Sequence, residues 1–190
     1  MKAAELLKLG ISVEKFEEML RHSLRFCVDH IEYRTFDEGL CSANIFLCKK
    51  SENSIASLCY LSLMIHAVHF YEEWRIEETL NSELHSIAEK WLIPAIQGVE
   101  NVPHEDARRN VQGIVSSIEN CISEKLNSGA TFHPDRWGVF FNNRPQASYQ
   151  LLKLLPYESD VLALADEWND VEYLYETPDF FALFSWGTGA

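Results

Sequence analysis

The stretch that most limits the possible folds is LCYLSLMIHAVHFYEEW, residues 58–74, which overlaps seventeen consecutive uncharged residues from Ile55 to Tyr71. A membrane-spanning helix needs about 20 mostly apolar residues, and its centre does not readily hold histidines such as His66 and His69. On a helix, the apolar side chains of this stretch cover nearly the whole circumference. We therefore predict a helix at the centre of a folded domain rather than a membrane span.

The polar residues of this stretch form one narrow stripe, because they recur at alternating spacings of three and four. His66, His69 and Glu73 lie on that stripe, and imidazole and carboxylate groups are ligands for zinc or iron. One hypothesis is therefore a metal-binding helical enzyme or sensor. The alternative is a polar seam that faces water or a neighbouring helix. Because no further ligand is evident, we expect no metal and no other cofactor.

The first two thirds of the chain suggest a mainly α fold with a helical body of about four long helices in residues 1–128. Apolar residues from Val13 to Ile31 recur at helical spacings after a potential cap at Ser12. Further helices are predicted over 51–74, over about 80–97, and from the NVP sequence at 101–103 to the NSG sequence at 127–129. The short apolar run LCSANIFLC, residues 40–48, is ambiguous between helix and strand.

The pattern changes after this body, and residues 129–190 are expected to form a mixed α/β segment. Short strands are predicted near 137–141, 171–176 and 180–186, with a tight turn at TPD, residues 177–179. Two short helices are predicted over QASYQLLKLL (146–155) and SDVLALADEW (159–168). Residues 129–136 are the candidate domain boundary, although the segment could share one core with the body.

The charge of the chain is strongly negative and unevenly distributed. The net charge is −13, yet residues 1–50 are neutral, with eight basic and eight acidic residues. No lysine or arginine follows Lys153, whereas eight acidic residues do. Binding to nucleic acid requires a positive surface that neutralises phosphates, and an anionic membrane surface also repels acidic proteins. We therefore expect neither nucleic-acid nor membrane binding.

No sequence motif in the chain identifies a reaction. The chain has no Walker-type phosphate loop, no GxSxG, no HExxH and no GxGxxG sequence. Its five cysteines are an odd number without a CxxC pair, which favours reduced thiols in the cytoplasm. An enzyme is therefore not indicated.

The acidic C-terminal segment is also rich in aromatic residues, and this combination is the strongest functional signal. A strand over 171–176 would place Tyr175 on one face and the two glutamates on the other. Aromatic side chains supply anchoring area in protein interfaces, and carboxylates steer a basic partner. The candidate partner-binding residues are Asp166, Glu167, Trp168, Asp170, Glu172, Tyr175, Glu176 and Asp179.

These observations favour an acidic protein-binding domain over an enzyme. The closest class by charge is an immunity- or antitoxin-type inhibitor that blocks a basic partner, such as a nuclease toxin, with carboxylates. A structural or adaptor protein and the metal-binding enzyme or sensor remain the alternatives. The identity of the partner and the oligomeric state do not follow from the sequence.

Overall fold

The computed structural model describes residues 29–35, 40–49, 98–133, 136–142, 144–146, 151–158 and 161–189. These residues contain eight strands, one α-helix and a short 3₁₀ helix at Leu151–Lys153. The strands are β1 (Asp29–Thr35), β2 (Leu40–Lys49), β3 (Glu100–Val102), β4 (Trp137–Phe141), β5 (Arg144–Gln146), β6 (Val161–Asp166), β7 (Asp170–Glu176) and β8 (Phe180–Gly189). The helix is α1 (His104–Asn127).

The strands form a single antiparallel sheet in the order β3-β6-β7-β8-β2-β1-β4-β5. Strands β1 and β2 pair with each other, and they lie between β8 on one side and β4 on the other. Two further hairpins, β6–β7 and β7–β8, complete the acidic part of the sheet. The sheet thus takes strands from both sides of residues 129–136.

One side of the sheet carries a continuous apolar row that packs against α1. Tyr173 pairs with Phe184, Phe184 with Ile45, Ile45 with Ile31, and Ile31 with Phe141. Because side chains alternate between the two faces of a strand, aligned pairs continue the same face from strand to strand. The first four residues of this row are fully or almost fully buried, which places the core between this face and α1.

Helix α1 is amphipathic, and its apolar stripe faces the sheet. The buried residues recur at spacings of three and four and are Ala107, Val111, Val115, Ile118 and Ile122. Glu105 and Asp106 in the first turn and Lys125 in the last turn have the charges that the helix dipole favours. Gly129, at φ 83°, closes the C-terminus in a Schellman motif, in which the Ala130 N–H bonds the Lys125 carbonyl at 3.1 Å.

The predicted mainly α fold is wrong, because the described residues are dominated by an antiparallel sheet with one α-helix. Ile31, which was assigned to the first helix, lies in β1, and the ambiguous run at 40–48 lies in β2. Residues 161–166, which were assigned to a helix, form β6, and the first three of them are buried. A strand buried on both faces has a continuous apolar sequence, and periodicity cannot separate that from a short helix.

Several individual elements agree with the prediction. The helix after NVP is α1, and strands occur at 137–141, 171–176 and 180–186, within β4, β7 and β8. The TPD turn is formed by a hydrogen bond from the Thr177 N–H to the Phe180 carbonyl at 2.9 Å. The helices predicted over 51–74 and 80–97 lie outside the described residues, so they stay predictions.

Candidate functional site

The turn between β6 and β7 presents an exposed tryptophan between acidic residues. We call residues 166–170 the β6–β7 tip. The Glu167 N–H bonds the Asp170 carbonyl at 2.8 Å, which leaves Trp168 and Asn169 as the two loop residues. The Thr188 N–H bonds the Asn169 carbonyl at 3.0 Å and fastens this loop to β8. Trp168 is 76% exposed, so a large apolar side chain faces solvent at a hydrogen-bonded turn.

A hydrogen-bonded bridge connects the β6–β7 tip to α1. The Tyr173 hydroxyl donates to Oδ1 of Asp166 at 2.6 Å and accepts a hydrogen bond from Nδ2 of Asn110 at 2.9 Å. Burial, together with the hydrogen bond to Asp166, raises the pKa of Tyr173 to about 12. The Asp166 carboxylate is therefore held on the side of the sheet that carries α1. Sequence patterns gave no sign of this bridge, because its members are 7 and 63 residues apart.

Two of the predicted partner-binding residues lie at the other end of β7. Glu176 is the last residue of β7, and Asp179 is exposed in the turn before β8. Since a strand rises about 3.4 Å per residue, the two ends of β7 are about 20 Å apart. The predicted set therefore divides into the β6–β7 tip, with Asp166, Glu167, Trp168 and Asp170, and a separate pair.

The remaining two predicted residues are buried within the sheet. Glu172 is 9% exposed and Tyr175 is 2% exposed. Tyr175 lies on the face that packs against α1, and its hydroxyl has no hydrogen-bond partner among the described residues. Burial raises the pKa of this hydroxyl above the ordinary tyrosine value. Neither side chain is presented to a partner in this conformation.

A polar row, which the sequence analysis missed, crosses the opposite face of the sheet. Glu172 pairs with Ser185, Ser185 with Asn44, and Asn44 with Glu32. Three of these four residues are less than 10% exposed. The Glu32 carboxylate also accepts two hydrogen bonds from the Arg34 guanidinium, at 2.7 and 2.6 Å.

Further polar side chains extend this row and hydrogen-bond to one another. His30 Nε2 and Asn44 Oδ1 are 2.8 Å apart, and Asn44 Nδ2 donates to Oγ of Ser42 at 3.0 Å. The His30 ring stacks on Phe46, with 4.3 Å between the ring centres. Buried polar groups are normally satisfied in this way, so this network has the properties of an internal structural element. The alternation of apolar and polar residues in HIEYR, residues 30–34, was the available signal for it.

The described residues form two clefts along α1. One adjoins the helix N-terminus, has a volume of about 510 Å³ and is lined by His104, Glu105, Arg108, Arg109, Gln112, Pro156, Tyr157 and Glu158. Arg108 spans it by donating to the Pro156 carbonyl at 3.2 Å. The other, which we call the α1 groove, has a volume of about 370 Å³ and is lined by Arg109, Asn110, Gly113, Ile114, Ser117, Ile118 and Trp186.

The metal-binding hypothesis concerns residues that the structure does not describe. His66, His69 and Glu73 all fall in the range 50–97, so this alternative stays a prediction. Among the described residues, no group of three or more histidine, cysteine, aspartate or glutamate side chains is placed to hold a metal ion.

Comparisons of the chain with protein-family models, with curated proteins and with solved structures find no match. In the part of the chain that the structure describes, no helix has the length and apolar character needed to cross a membrane.

Proposed function

We propose that this chain is a protein-binding domain of the immunity or antitoxin type, which inhibits a basic partner by contacting it through the β6–β7 tip. One observation carries the proposal: Trp168, 76% exposed, lies at a hydrogen-bonded turn between Glu167 and Asp170. Exposed tryptophan side chains are frequent anchors of protein interfaces. Nothing in the described fold requires an aromatic side chain at this position.

The charge of the chain supports a basic partner. The net charge is −13, and the region after Lys153 contributes eight carboxylates without a basic residue. Such a field attracts a cationic protein and accelerates its association. If the partner is a nuclease, the tip carboxylates would occupy the positions where substrate phosphates bind. The site of action that fits five cysteines, an odd number without a CxxC pair, is the cytoplasm.

The first experiment is affinity capture from an extract of the native source, with the full chain as bait. Wild-type protein is expected to capture a protein of basic isoelectric point, which is then identified by mass spectrometry and purified. The Trp168→Ala bait is expected to lose it, because the anchoring side chain is removed. If a captured nuclease is inhibited by stoichiometric wild-type chain and spared by Trp168→Ala, the inhibitor role is supported.

The second experiment separates anchoring from steering by binding kinetics at low and high salt. Trp168→Ala is expected to speed dissociation. The double variant Glu167→Gln, Asp170→Asn is expected to slow association and to flatten its salt dependence. Asp166 is left unchanged because it holds the Tyr173 hydroxyl. Asp179→Asn, at the other end of β7, is a control that removes one charge outside the tip, to be compared with each single variant of the pair. Equal association rates in the double variant and the wild type would contradict steering by the tip.

A further inference from the structure

The α1 groove has an apolar floor and an open wall. Ile114, Ile118 and Trp186 supply the apolar surface, and the exposed Ser117 lies on the rim. A Cβ atom built on Gly113 would meet no other atom within 4 Å, so this wall faces open space. The volume of about 370 Å³ lies at the low end of ligand pockets, which suits one or two side chains of a polypeptide.

The groove and the β6–β7 tip are parts of one continuous surface. Asn110 lines the groove and donates to the Tyr173 hydroxyl, which in turn donates to Asp166 of the tip. On the floor, Trp186 pairs with Val171, the residue that follows Asp170 in β7. A partner that contacts Trp168 could therefore also reach the groove.

The charges around this surface favour a cationic occupant. The tip supplies three carboxylates, whereas the described residues of the groove include one cation, Arg109, whose guanidinium lies 3.3 Å from the Asp106 carboxylate. An apolar floor beside excess negative charge is complementary to a basic segment that also carries an apolar side chain.

We propose that the α1 groove receives an aliphatic or aromatic side chain from a basic polypeptide partner, while neighbouring lysine or arginine side chains of that partner face the carboxylates of the tip. This inference rests on the proposed function and adds the chemistry of the segment that is recognised. The groove provides the apolar contact, and the tip provides the charge.

The test fills the groove without disturbing the fold. Gly113→Leu places a branched side chain at a position that is exposed and lies in the middle of α1, where leucine is a better helix former than glycine. Ser123→Leu is the matched control, since it adds the same side chain at an exposed position of α1 that does not line the groove. Circular dichroism and thermal unfolding establish that both variants fold.

The probe is a phage-displayed library of random peptides, selected on the wild-type chain alone. Enriched peptides are expected to be basic and to carry an apolar residue, and their affinity is measured by fluorescence anisotropy. Gly113→Leu is expected to weaken binding about tenfold or more, the loss typical of an anchoring contact, whereas Ser123→Leu should bind as the wild type.

The outcomes distinguish the inference from the function on which it rests. If Trp168→Ala weakens peptide binding and Gly113→Leu does not, the groove is not used and the proposed function stands. If neither variant weakens binding, both are wrong. Enrichment of acidic or uncharged peptides would overturn the inference that the recognised segment is basic. If Gly113→Leu weakens the binding of no enriched peptide, the inference of an apolar anchor in the groove is wrong.

Discussion

Replacing Trp168 by alanine should leave the fold almost as stable as before, and the reason is its exposure. About a quarter of its surface is covered, since the residue is 76% exposed. A fully enclosed aromatic side chain buries roughly 150–250 Å², so about 50 Å² would be lost. At about 25 cal/mol per Å² this corresponds to about 1 kcal/mol, and the true cost is smaller because unfolded chains also bury apolar surface.

The same substitution at Trp137 provides the matched comparison. Trp137 is 3% exposed in β4, and its ring meets the Phe132 ring edge-on, with 5.3 Å between the ring centres. Truncating a buried tryptophan typically costs about 3–5 kcal/mol. For a chain of this size each kcal/mol shifts the melting temperature by about 2–4 °C. We therefore expect a loss of about 10 °C for Trp137→Ala and of about 3 °C or less for Trp168→Ala.

Both variants are measured by thermal unfolding and by urea titration, with circular dichroism at a helix band and tryptophan fluorescence as the two signals. Coincident transitions from the two signals would justify the comparison of free energies. The reasoning is refuted if Trp168→Ala is destabilised as much as Trp137→Ala, because Trp168 would then belong to the core. Its loss could no longer be interpreted as the loss of a partner contact.

Three further predictions concern stability. Gly113→Ala should raise the free energy of unfolding by about 0.8–1 kcal/mol, because alanine is a better helix former than glycine and the added methyl group meets open space in mid-helix. A lower free energy of unfolding in urea titration would contradict this. Tyr175→Phe should stabilise the fold by about 1 kcal/mol, since it removes a buried hydroxyl without a described partner. Tyr173→Phe should destabilise the fold by about the same amount, because it breaks the hydrogen bond to Asp166. The folded state raises the pKa of Tyr173 from 10.0 to about 12, so the stability due to its protonated form should be intact below pH 10 and be lost as the pH rises through 12. A urea midpoint that stays constant across this range would exclude that linkage.

The sequence by itself determined several local elements. The NVP sequence at 101–103 and the NSG sequence at 127–129 were sufficient to locate α1 and its end, where Gly129 has a positive φ. The tight turn at 177–179 and the alternation in β7 were also readable, because turn chemistry and side-chain direction depend on neighbours in the chain. Local patterns report local geometry, and these elements depend on little else.

The central strands could not be recognised in this way. Ala43, Ile45 and Leu47 of β2 are buried on the face toward α1, and Asn44 on the other face is buried as well. The polar and apolar alternation that marks a strand with one solvated face is therefore weak in β2. It is also weak in β6, whose first three residues are all buried. Their identity as strands depends on pairing with other strands, and in β2 the partners are up to 149 residues away, as for Gly189 opposite Leu40.

In the candidate site, too, some properties follow from the sequence and others only from the tertiary structure. Composition alone indicated the acidic and aromatic character of the region after Lys153, including Trp168 and its neighbours. Only the tertiary structure decided which of these side chains are available, because it exposes Trp168 and buries Tyr175. It also decided that Asp166 joins Asn110 through Tyr173 and that the tip adjoins a groove on α1. Charge and composition are properties of the chain, whereas exposure and adjacency arise when the strands pair and the helix covers one face of the sheet.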